Sequence, residues 1–75
     1  MSALLAARAA VDLAMSQVAD ARRRRSERVE GVAIPWPVAV RDQYLADSRS
    51  LDALIVDLEA AWSRLLELEQ PRLAA

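Results

Sequence analysis

Seven residues, Gly31-Val32-Ala33-Ile34-Pro35-Trp36-Pro37, interrupt a chain that is otherwise patterned as helix from end to end. Gly31 is the residue type that takes the left-handed conformation closing a helix, and Pro35 and Pro37 lack the amide donor that a helix arriving from upstream would need. Pro37 also has the fixed φ that suits the first position of a new helix. One helix therefore stops at this stretch and a second starts from it. The expected elements are helices over about 3–30 and 37–70, a Pro-Trp-Pro turn at about 31–37, and a short tail over 71–75 after Pro71. Ser2 is placed to cap the first helix through its hydroxyl.

Both segments carry a heptad pattern of apolar residues. In the first, Leu4, Val11 and Val18 share one seam position and Ala7, Ala14 and Ala21 the other, with Met15 widening the stripe. In the second, Tyr44, Leu51, Leu58 and Leu65 share one position, and Val40, Asp47, Leu54, Ala61 and Leu68 the other. Opposed residues of an antiparallel pair have sequence numbers of constant sum, and matching the two seams gives 72 throughout. Leu4 then faces Leu68, Ala7 faces Leu65, Val11 faces Ala61, Ala14 faces Leu58, Val18 faces Leu54 and Ala21 faces Leu51. Small meets large in four of these six layers, so helices brought close by Ala are filled from the other side by Leu. The fold class is therefore all-α, an antiparallel two-helix hairpin with coiled-coil-like packing.

Beyond Ala21 the seam turns polar. The same register sets Arg25 against Asp47 and Arg28 against Tyr44, which makes Arg25 and Asp47 a register-setting polar layer that disfavours slipped alternatives. Several large apolar residues are left over. Leu5, Leu13, Ile55, Trp62 and Leu66 lie beside or behind the seam, and Trp36 sits at the tip between two prolines. Burying each is worth about 1.5–3 kcal/mol. The expectation is a bundle completed by self-association or by a protein partner, with Trp36, Ile55, Trp62 and Leu66 as its partner-binding residues.

Composition narrows the chemistry. The 75 residues form one small domain, and they include no His, no Cys and no Phe, which removes disulfides, thiol nucleophiles, imidazole bases and the usual zinc ligands. No D-x-D-x-D-G calcium loop occurs, and no cofactor or metal is expected. The longest uncharged run, residues 31–40, is too short to span a bilayer and contains two prolines. The opening residues lack a basic n-region, so a cytoplasmic location is expected. All ten basic residues are Arg; up to Pro37 the chain carries +2 and after it −3. The run Arg22-Arg23-Arg24-Arg25, with Arg28, is a possible anion-binding cluster. With no aromatic interleaving and a net charge of −1, it favours a helix-dipole and ion-pair role over nucleic acid.

Residues 44–55, Tyr44-Leu45-Ala46-Asp47-Ser48-Arg49-Ser50-Leu51-Asp52-Ala53-Leu54-Ile55, resemble the second helix of Spo0E-like aspartyl-phosphate phosphatases, small helical hairpins that dephosphorylate a response regulator. The resemblance lies in a Ser and an Asp four apart on one face followed by a Leu-Ile pair, here Ser48, Asp52, Leu54 and Ile55. It implies that Ser48 and Asp52 jointly orient water at a phosphoaspartate. Three functions thus follow from different features: a non-enzymatic interaction or assembly module acting through its apolar helical face, which the pattern favours; a phosphatase resting on Ser48 and Asp52; and nucleic-acid binding through the Arg run.

Overall fold

The structure, a computed structural model, describes residues 2–70; the expected tail over 71–75, with Pro71 as helix terminator, lies outside the described residues. Two helices, α1 (Ala3–Val29) and α2 (Val38–Glu69), pack against each other. Ser2 caps α1 in extended conformation, its hydroxyl accepting from the Leu4 amide at 3.2 Å. The end of α1 is a tight reversal. Glu30 (φ −60°, ψ 124°) and Gly31 (φ +74°) take the central conformations of a type II turn, closed by the Val32 amide on the Val29 carbonyl at 3.0 Å. The positive φ at Gly31 is where glycine is required.

Pro37 does not occupy the first position of α2 but the cap before it, with extended φ and ψ of −55° and 150°. Its carbonyl accepts the first helical hydrogen bond, from Arg41, at 3.0 Å. The fixed ring φ suits either place, but a helical ψ at Pro37 is not needed until the chain has left the turn. The far end of α2 closes with the Gln70 amide on the Leu66 carbonyl.

The apolar seam follows the register expected from the sequence. One cluster gathers Ala7, Val11 and Leu65 with Leu4, Leu58, Ala61 and Leu68; the other gathers Val18, Ala21 and Leu51 with Leu54, Ile55 and Leu58. Each contains whole layers of sum 72, and Leu58 joins the two. All five buried residues of α1 are seam residues, Ala7, Val11, Ala14, Val18 and Ala21. In α2 only Leu51 and Leu65 are buried, while the other seam leucines keep part of their surface wet. The asymmetry follows from size: an Ala is covered by the leucine that crosses it, whereas the leucine reaches past the Ala and out of the far side. No large side chain in the described residues is fully enclosed. Met15, expected to widen the stripe, is instead half-exposed beside it.

The seam therefore carries the stability. Leu51→Ala is expected to lower it by about 2–5 kcal/mol and Ala14→Leu by about 1–3 kcal/mol through overpacking against the Leu58 layer. Leu13→Ala, on the outer surface, changes it by less than about 0.5 kcal/mol. Urea unfolding followed by circular dichroism checks this; equal losses at Leu13 and Leu51 would contradict the seam.

Candidate functional site

Two surfaces remain once the seam is closed: a lateral face shared by both helices, and the tip. With heptad positions lettered so that Leu4 and Tyr44 are a and Ala7 and Val40 are d, the e and b positions adjoin the seam on one side. Arg8 and Glu69 are both e residues, and they pair across the helices at 3.4 Å. The e positions of α1 and α2 thus lie on the same face, as an antiparallel a-to-d seam requires. On that face stand Leu5 and Met15 from α1, and Leu45, Ile55, Trp62 and Leu66 from α2. Trp62 is 43% exposed and Leu66 49%, and only Ile55 is drawn partly into the core. Leu45 and Met15 were not among the sequence-derived binding residues. The signal for Leu45 was present, because it lies three heptads before Leu66.

The other outer surfaces hold large apolar residues only singly. Leu13 stands at c and Val56 at f, among alanines and charges, and Ile34 and Val38 protrude at the tip, Ile34 with 86% of its surface open. Isolated apolar residues of this kind are ordinary on protein surfaces; a row on one face is not.

At the tip the structure corrects the polar layer. Asp47 does not pair with Arg25: its Oδ2, shielded from solvent, is in direct contact with the Arg28 guanidinium, while its Oδ1 accepts from Gln43 at 3.4 Å. Arg25 instead lies over the Tyr44 ring, 5.1 Å from its centroid, and donates to the Ser48 hydroxyl at 3.2 Å. The cause is the tilt of helical side chains toward the N-terminus. In an antiparallel pair Arg28 leans down the hairpin and Asp47 leans toward the tip, so the two meet one helical turn away from the equal-level partner. Arg25, released, takes the aromatic face. Trp36 completes the cluster, half-buried, its ring 5.0 Å from Tyr44 and inclined at 51°. The order Arg25, Tyr44, Trp36 ties the tip to the end of the seam, so Trp36 packs back on the hairpin.

This packing consumes most of the Arg run. Arg23 pairs with Asp20 at 2.9 Å and Glu27 at 3.8 Å, Arg28 with Asp47, and Arg25 with Tyr44 and Ser48. Arg22 and Arg24 have no acid at ion-pair distance among the described residues. An open cleft of about 640 Å³ beside Trp36 and Tyr44 is lined by both Arg23 and Glu27 and gathers no single sign of charge. Ser48 is likewise committed: its hydroxyl donates to the Tyr44 carbonyl at 2.9 Å and accepts from Arg25. Asp52 is exposed one turn further along. Among the described residues no three acidic side chains converge as metal ligands, and no helix is long and apolar enough to cross a membrane.

Comparison with protein families, curated proteins and solved structures finds no match for this chain. The phosphatase resemblance accordingly rests on residues 44–55 alone.

The observed pairing is open to a double-mutant cycle. Arg28→Ala and Asp47→Ala should couple by about 1 kcal/mol, since Asp47 is mostly covered but Arg28 is half-exposed. Arg25→Ala and Asp47→Ala should not couple. A larger coupling for Arg25 would restore the pair expected from the register.

Proposed function

We propose that this chain is a non-enzymatic assembly module that binds protein through the e/b face of its hairpin. The observation that carries the proposal is the row of Leu5, Met15, Leu45, Trp62 and Leu66, each about half-exposed or more, on one face of a ribbon one helix pair thick. A free monomer gains nothing from holding a Trp and four large aliphatic residues in water on one side. An occupied face recovers that surface, with Trp62 as the side chain best able to act as an anchor. Binding is by helix packing: the occupant lays an apolar helical stripe between α1 and α2. Charged residues interrupt the row, Arg8, Asp12 and Arg22 on α1 and Arg41, Asp52, Glu59 and Glu69 on α2, and these would fix register at the rim rather than supply affinity. Internal use of Ser48, Arg25 and Arg28 supports the same reading, because it commits these polar residues of the tip to contacts between the helices, while Arg23 is held by Asp20 and Glu27 within α1.

A photo-crosslinking residue placed at position 62 should yield protein adducts in the cells that make this chain. The same residue at position 57, exposed at g on the opposite face, should yield few. Equal yields from the two positions, or none from either, would contradict the assignment of this face.

A further inference from the structure

The hairpin has too much surface for its mass. Its accessible area is 5794 Å², against roughly 4,600 Å² for a compact monomer of 8.3 kDa, a surplus of about 1,200 Å². Its radius of gyration is 17.2 Å, whereas a compact chain of this length has about 11 Å. A specific dimer of ordinary size removes about 800 Å² from each partner, so one added layer of the same kind would absorb most of the surplus.

The charges on the face indicate what that layer is. At its e and b positions α1 carries Arg8, Arg22 and Asp12, and α2 carries Arg41, Asp52, Glu59 and Glu69. The face is thus divided lengthwise into a half of charge +1 and a half of charge −2. Such a surface is complementary to itself under a two-fold axis running along the helices, which lays α1 of one copy on α2 of the other. It is less complementary under an axis across the helices, which sets α2 on α2 and so opposes two halves of charge −2.

We infer that the occupant of this face is a second copy of the chain, stacked with its tip at the same end, so that two hairpins make a four-helix bundle. This rests on the proposed use of the e/b face. Residues at similar height then follow the sum that governs the seam to within two residues. Leu5 lies against the partner's Leu66, Met15 against the partner's Ile55, Arg8 over the partner's Trp62, and Arg22 beside the partner's Asp52. Arg22 has no ion pair within its own hairpin, and this arrangement supplies one. Each contact occurs twice. Asp12 and the partner's Glu59 are the one like-charged pair, at the edge of the Trp62 layer.

The purified full chain tests this by light scattering behind a sizing column across a dilution series. The expected mass is twice that of the chain at micromolar concentration. Arg22→Asp or Asp52→Arg alone should weaken the dimer by about tenfold or more, and the two together should restore it. Because the chain has no cysteine, topology is read by mixing a Leu5→Cys chain with a Leu66→Cys chain. Disulfide-linked heterodimers are expected. Preferential Leu45→Cys to Leu66→Cys links between copies would overturn the arrangement in favour of the crosswise axis. A folded monomer that still gives adducts from position 62 in cells would overturn the second copy but leave the binding face standing. A monomer with no adducts at all would remove both.

Discussion

Everything in this molecule depends on the alternation of Ala and Leu across one seam. Ala7, Ala14 and Ala21 let α2 approach, and Leu65, Leu58 and Leu51 fill the space they leave. The match is specific because it is not symmetric. Slipping one helix by a heptad would keep apolar residues opposed, but it would bring Asp47 opposite Val18 and carry the arginines of the tip away from Tyr44 and Asp47. Apolar packing thus supplies the cohesion, and the polar end makes one register better than its neighbours.

The same seam explains why the hairpin encloses so little. Two helices have a line of contact, not an interior, and leucines that cross an Ala emerge partly wet on the other side. Among the described residues only alanines, two valines and two leucines are buried, and no large side chain is enclosed. Small domains with so little core usually gain stability from association. In this chain most of the exposed large apolar residues stand on one face, so the fold and the proposed binding surface follow from a single deficit.

Much of the fold was legible in the sequence. The break at Gly31 to Pro37, the cap at Ser2, the seam positions and their register of 72 could all be read because they depend on backbone height and on residue size, which sequence numbers record. The polar pairing could not. Equal-level counting sets Arg25 against Asp47, but Arg is long, helical side chains lean, and the Tyr44 ring competes for the guanidinium; none of these is a matter of spacing. Nor could spacing place Trp36, assigned from the sequence to partner binding, because its position depends on the path of the turn that brings it 5.0 Å from Tyr44. Of the binding face, Ile55, Trp62 and Leu66 were visible as residues beside the seam. That Leu5, Met15 and Leu45 stand with them became visible only when the Arg8–Glu69 pair fixed which flanks of the two helices share a side.

The most direct measurement of the central claim, that the Ala–Leu seam and its polar end together set one antiparallel register, is the relative ease of disulfide formation within a single chain. Cysteines at positions 7 and 65 lie in one layer, whereas 14 with 65 and 7 with 58 are each displaced by a heptad. In a glutathione redox buffer the 7–65 pair should close at far more reducing conditions than either displaced pair. Comparable closure of a displaced pair would mean that the helices slide, and that the seam and its polar end do not hold them in place.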